Sequence, residues 1–150
     1  ILSGLVGSEM CIRDRGVPHY LVASTLNGVL AQRLVRTLCV HCKRPHTLSE
    51  ADWAAIQEPG EALPEVLTVH APVGCLECRR TGYLGRVGLY ELLPVTPRLR
   101  SLIRADTDLA SFSQAARGDG LRTLRRTGLE KVAAGLTTVE EVLSVLPPRE

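Results

Sequence analysis

Cys39-Val-His-Cys42 and Cys75-Leu-Glu-Cys78 decide how this chain is read. Each is a C-x-x-C, and residues 43–74 lie between them. Two such turns brought together offer four thiolates in a tetrahedron, the arrangement that a structural Zn²⁺ takes up. With Cys39, Cys42, Cys75 and Cys78 as ligands, no position is left for water or substrate. The centre would hold chain together and do no chemistry. His41 and His46 lie close by in sequence, which keeps a mixed Cys/His set open as well. A redox reading fits less well, because a thioredoxin-type motif needs one reactive pair at a helix N-terminus and here there are two matched pairs.

The 150 residues suffice for one medium domain or two small ones. Hydrophobic residues make up 45% but aromatics only 3%, so the core is built mostly of Leu, Val and Ala, with Trp53 and Phe112 as bulky anchors. So thin an aromatic complement makes a metal staple more useful. The formal charge of +2 counts every cysteine as a neutral thiol; loading zinc would remove four protons and add a dication, bringing it to zero. The charge therefore gives little reason to expect nucleic acid. Lys43-Arg44 and Arg79-Arg80 follow the two pairs, where cations would offset the negative charge of a Zn(Cys)₄ centre. Solvated surface charge beside a turn is the plainer reading of the same residues.

No apolar run reaches the ~18–20 residues that span a bilayer. The opening segment, with Glu9, Arg13, Asp14 and Arg15 behind a short apolar stretch, does not read as a secretory signal. Paired cysteines without an export signal point to metal in a reducing cytosol rather than to disulfides. Residues 1–15, ILSGLVGSEMCIRDR, sit badly with the rest, and position 1 is not Met. Their LVGSEMCIRDR resembles translated adapter read-through, so the expectation is a non-native leader on a piece of a longer protein. Setting it aside removes Cys11 and leaves four cysteines.

From Pro18 to Leu38 the spacing of Tyr20, Leu21, Leu26, Leu30, Leu34 and Leu38 predicts helices, broken at Asn27-Gly28. Gln32, Arg33 and Arg36 would face solvent or a partner. Ser49 and Asp52 open a helix over 50–57, residues 58–65 read as loop, and Val66–Ala71 as a short strand. Gly82, Gly85 and Gly88 among β-formers predict a tight hairpin over 81–93. Beyond it the pattern is helical. Thr96-Pro97 starts one helix, Asp106 or Thr107 caps a second ending at Gly118–Gly120, and Gly135 stops a third. Thr138 with Glu141 forms a capping box for the last, which Pro147-Pro148 ends.

Catalytic signatures are missing: no G-x-x-x-x-G-K-[ST], no G-x-G-x-x-G between strand and helix, no H-E-x-x-H. Gly118-Asp119-Gly120 reads as a loop, and Glu140 and Glu141 as helix-start chemistry. From the residues alone this is a zinc-stapled binding or assembly module. A free-standing zinc ribbon for nucleic acid would need a basic face or stacking aromatics, and neither is obvious.

GVLAQRLVRTLC, the two cysteine pairs, GYLGRVGLYELLPV and GLRTLRRTGLEKVAAGLTTVEEVL, in that order, resemble the C-terminal region of the secretion and pilus-assembly ATPases. The nearest look is type II secretion system protein E, with the type IV pilus assembly ATPases close behind. The resemblance covers residues 16–147. It implies an α+β, mainly helical fold: the C-terminal piece of a RecA-like motor, with an inserted tetracysteine zinc subdomain and a small β-hairpin. Residues 16–38 would be helices at the end of the motor core, 39–93 the zinc subdomain and hairpin, and 94–150 a C-terminal helical segment. Cys39, Cys42, Cys75 and Cys78 carry over as ligands of structural Zn²⁺. Val40 stands where the family often has Pro, a change that leaves the metal untouched. ATP and Mg²⁺ would be held upstream of the matching region, so this piece alone would be inactive. The resemblance further implies a hexamer, a cytoplasmic position at the inner membrane through platform partners, and no bound nucleic acid. Arg33 and Arg36, beside the end of the core, would stand at a subunit interface or near a neighbour's nucleotide, or simply in solvent.

Overall fold

The computed structural model describes residues 16–58, 68–104, 106 and 108–146. Along them run α1 (His19–Thr25), β1 (Gly28–Leu38), β2 (Arg44–Thr47), α2 (Glu50–Ile56), β3 (Thr68–Ala71) and β4 (Tyr83–Pro94). Then come α3 (Pro97–Leu102), α4 (Leu109–Gly118), α5 (Leu124–Ala133) and α6 (Val139–Val145). β1 pairs with β4, and β2 with β3. The chain is thus a mixed α and β fold. The expected leader, most of the 58–65 loop and the terminal prolines lie outside the described residues.

The helical expectation for 16–38 holds for His19–Thr25 and fails for Gly28–Leu38, which is a strand of 11 residues. Leu26, Leu30, Leu34 and Leu38 recur every fourth position, and four is close to one helical turn yet also twice the strand period. The leucine spacing therefore could not separate the two. Burial does: Leu30 and Leu34 are exposed at 60% and 52%, whereas Val35, next to Leu34, is at 2%. Nor does 81–93 fold back as a tight hairpin. β4 is one uninterrupted strand of 12 residues whose partner lies upstream in β1. Val95 N–H donates to Asn27 O at 2.9 Å beyond one end of the pair, and Cys39 N–H to Gly82 O at 2.9 Å beyond the other, so the ladder is antiparallel.

The described chain divides into two compact units, and both β1 and β4 pass from one into the other. One unit takes α1, the start of β1, the end of β4, α3 and α4. Its core joins Val22, Leu93, Val95, Leu99, Ile103, Phe112, Ala115 and Ala116. Thr96 caps α3 by accepting the Leu99 amide at 3.1 Å, with Pro97 in the first turn. The α4 cap, expected at 106 or 107, falls on Asp108, whose carboxylate accepts the Ser111 amide at 2.9 Å. The Arg100 guanidinium donates to the carbonyls of Ala23 and Leu26, satisfying acceptors at the end of α1.

The other unit holds the rest of β1 and β4, the β2–β3 pair, α2, α5 and α6. β2 and β3 run antiparallel with Arg44 opposite Ala71 and His46 opposite Val69. Ser49 caps α2, whose Trp53 and Ile56 are buried. Gly128 lets α5 close on α6, since a Cβ there would lie 2.4 Å from Val142 Cγ1. Leu38 N–H donates to Leu136 O at 2.8 Å, and the Thr137 hydroxyl to Arg36 O at 2.8 Å. The expected capping box is half formed: Thr138 Oγ1 accepts the Glu141 amide at 3.4 Å. The Glu141 carboxylate does not turn back on its own helix. It accepts from the Arg36 amide at 3.1 Å and from the Arg36 guanidinium at 2.5 Å. That guanidinium lies over the Tyr83 ring, 4.2 Å from its centroid.

Two outcomes follow for this unit. Gly135 has φ +65° and its missing Cβ would lie 2.5 Å from His70 Nδ1; Gly135→Ala should lower unfolding stability by about 1–3 kcal/mol in urea titrations. The hydrogen bond from Arg36 holds the Glu141 carboxyl below its ordinary value of 4.5, against the opposing effect of burial. Its contribution is thus complete above pH 4.5 and is lost as the pH falls through the lowered value, where the unfolded chain already binds the proton. Glu141→Gln should therefore flatten the acid side of the stability profile, read as the unfolding midpoint against pH.

Candidate metal centre

The four sulfurs of Cys39, Cys42, Cys75 and Cys78 all lie within 4.8 Å of one another. Sγ–Sγ separations are 3.8 Å for Cys39–Cys75, 3.8 Å for Cys42–Cys78 and 3.7 Å for Cys75–Cys78. A tetrahedron with Zn–S bonds of ~2.3 Å has edges of about 3.8 Å, so donor type and spacing both fit a four-sulfur zinc site. Among the described residues no histidine or carboxylate joins the cluster. His41 and His46, the candidates for a mixed set, are both exposed.

Each knuckle is shaped by backbone hydrogen bonds. Cys39 directly follows β1 and is fixed there by the Gly82 carbonyl; the amides of Cys42 and Lys43 then donate back to Cys39 O at 3.3 and 3.0 Å. In the second knuckle Arg79 N–H donates to Leu76 O at 3.0 Å and Arg80 N–H to Cys75 O at 2.7 Å. Closing that turn puts Arg79 and Arg80 at φ 53° and 61°. Two consecutive non-glycine residues in the left-handed region cost on the order of 1–3 kcal/mol each, which the surrounding contacts must outweigh. The gain is aim. Gly82 N–H and Cys75 N–H point at Cys78 Sγ at 3.2 Å each, and Gly74 N–H at Cys42 Sγ at 3.3 Å.

These donors act on the thiols directly. Burial opposes charge on Cys78, but the amides of Cys75 and Gly82 overcome it and bring the thiol down to about 6. For Cys75 the Cys78 amide pulls downward, yet burial and the sulfurs of Cys78, Cys39 and Cys42 push it up to about 11. Four thiols at this spacing cannot all ionise unaided. A dication in their midst removes that conflict.

Residues outside the cysteines locate the centre; the sequence reading passed over Gly74 and assigned Gly82 to a hairpin. Gly74 has φ +102°, and a Cβ there would lie 2.7 Å from Arg80 O; at Gly82, φ +79°, it would lie 2.4 Å from Pro72 Cβ. Glycine just before the second pair and four residues after Cys78 was the available signal. The left-handed arginines gave none. Lys43 does not serve the sulfurs: its Nζ donates to Gly135 O at 2.8 Å, just beyond the C-terminus of α5. Arg36 is engaged by Glu141 and Tyr83, and Arg33 donates to Gln32 O at 3.0 Å.

Four clustered cysteines that could hold a metal ion, set beside the β1–β4 pair in a mixed α and β chain, define the site. The type II/IV secretion system protein family matches residues 6–144, and the chain belongs to that family. Type IV pilus assembly ATPase TfpB of Acinetobacter baylyi is 42% identical over 137 residues, covering 91% of this chain and 23% of that protein. Type II secretion system protein E of Pseudomonas aeruginosa is 41% identical over 140 residues, 93% of this chain and 27% of that protein. The protein transport protein HofB homolog of Escherichia coli is 39% identical over 151 aligned positions, 97% of this chain and 31% of that protein. The chain thus spans about a quarter to a third of the length of these relatives. Among the described residues no helix is long and apolar enough to cross a membrane.

Replacing Gly74 by Ala should misplace the second knuckle and weaken metal retention by about tenfold or more, as loss of a supporting contact does at other metal sites. Competition against a chromogenic chelator measures this.

Proposed function

We propose that this chain is the zinc-stapled C-terminal part of an ATP-driven motor for type II secretion, with type IV pilus assembly as the alternative inside the same family. The observation that carries the reading is the convergence of four sulfurs at zinc spacing within a chain of this family. Relatives of both kinds match almost equally, at 42% and 41% identity, which is why the two systems stay side by side. In this reading Cys39, Cys42, Cys75 and Cys78 hold one structural Zn²⁺. The metal supplies charge neutralisation and a rigid cross-link, and the protein supplies amides from Gly74, Cys75 and Gly82 that orient two of its sulfurs.

ATP and Mg²⁺ belong to the motor's phosphate-binding machinery, whose sequence signatures do not occur in these 150 residues. The complete motor would be a cytoplasmic hexamer acting on inner-membrane platform proteins. Its nucleotide-binding machinery would lie upstream, with residues 16–38 at the end of the RecA-like core and Arg33 and Arg36 beside that end. Support for the partners comes from the relatives' names alone, which place those proteins in secretion and pilus assembly.

The 150-residue chain should carry one Zn²⁺ per molecule by metal analysis, and show no ATP turnover above a buffer control. Metal-dependent hydrolysis by this chain alone would defeat the division of labour, and absence of bound zinc would defeat the staple. In the upstream coding sequence, a G-x-x-x-x-G-K-[ST] is the expected find.

A further inference from the structure

We propose that Cys75 is the ligand at which the metal centre opens, a modification site for soft electrophiles and hydroperoxides. This rests on the zinc reading of the four cysteines. The structure separates Cys75 from its companions by access. Cys39 is at 0% exposure, Cys78 at 3% and Cys42 at 5%, whereas Cys75 alone is partly exposed.

The cause lies in how the knuckles are mounted. Cys39 is held between β1 and the Gly82 carbonyl, inside the ribbon. Gly74 N–H covers Cys42 Sγ, and two amides cover Cys78 Sγ. Cys75 instead follows the exposed Pro72-Val73 segment, and the next two residues, Leu76 at 81% exposure and Glu77, point outward. Its immediate neighbours on the surface thus leave Cys75 partly exposed. N–H donors also withdraw charge from a metal-bound sulfur and reduce its nucleophilicity, and Cys78 receives two where Cys75 faces one, from Cys78 itself. The sulfur with two amide donors and the partly exposed cysteine therefore belong to the same knuckle.

With a hydroperoxide the step balances as follows. The Cys75 thiolate attacks the terminal peroxide oxygen and the O–O bond breaks. The other oxygen leaves as alkoxide, and Cys75 becomes a sulfenic acid. Cys78 Sγ, 3.7 Å away, then attacks the oxidised sulfur and expels hydroxide, closing a Cys75–Cys78 disulfide. Two thiolates have given up two electrons to one peroxide, and Zn²⁺ is left with two ligands. A simple alkylating agent stops after the first bond.

The test treats the zinc-loaded protein, its metal content measured beforehand, with substoichiometric N-ethylmaleimide. Each cysteine is then quantified by peptide mass spectrometry while released zinc is followed with a chromogenic chelator. Cys75 is expected to carry about tenfold more label than any other ligand, with zinc release tracking its modification. A hydroperoxide should give Cys75–Cys78 as the first disulfide. Even labelling of the four, or first labelling of Cys39, Cys42 or Cys78 in a protein that holds zinc, overturns the proposal and leaves the zinc reading intact. No zinc before treatment overturns both. Cys75→Ser supplies the control: if it still folds around metal, its remaining ligands should react no faster than they do in the parent.

Discussion

Four buried or half-buried sulfurs within 4.8 Å are a demand as much as an interaction. As thiols they waste the amides aimed at them, and as thiolates they repel one another. The uneven acidities of Cys78, drawn down to about 6, and Cys75, pushed up to about 11, are that conflict in the absence of a cation. A dication would resolve it. Gly74 and Gly82 are glycines because a Cβ would strike Arg80 O or Pro72. Arg79 and Arg80 accept left-handed backbone because the knuckle must turn there. The left-handed backbone in this stretch coincides with the turn that brings Cys75 and Cys78 to the cluster.

The sulfur set was legible because zinc chemistry fixes ligand type and spacing, and both appear in plain text as two C-x-x-C pairs. Caps were legible for a similar reason: Ser49, Thr96 and Thr138 each accept an amide three residues on. The strand at 28–38 was not. A leucine at every fourth position satisfies a helix and a strand alike, and only Val29, Val35 and Thr37 between them favoured the strand. The hairpin reading of 81–93 went wrong differently. Glycine was taken to mark a reversal, whereas Gly82 and Gly85 adopt positive φ at and near the start of a strand that runs straight on. Its true partner lies far upstream, and no short-range signal announces a pairing of that kind.

Side-chain partners over long distances were the other hidden part. Glu141 had every local reason to close a capping box, and Lys43 to neutralise the sulfurs. Both are used elsewhere, Glu141 on Arg36 and Lys43 on Gly135. The competing partners win because each offers a charge-assisted bond at the end of a β-strand or helix, where backbone groups need satisfying.

Those long bonds bear on how the chain is made. Arg36 and Glu141 stand 105 positions apart. Both cysteine pairs, and the glycine that closes the second, are synthesised and emerge ahead of α5 and α6. At about 5–20 residues per second, translation of the intervening chain takes several seconds. The knuckles can capture metal during that interval. Until the last helices arrive, Leu38 N–H and Lys43 Nζ lack the carbonyls of Leu136 and Gly135, and Arg36 lacks the Glu141 carboxylate. A chain that has emerged only as far as the start of α5 would therefore hold the β1–β4 ribbon without the clasp that the last two helices supply.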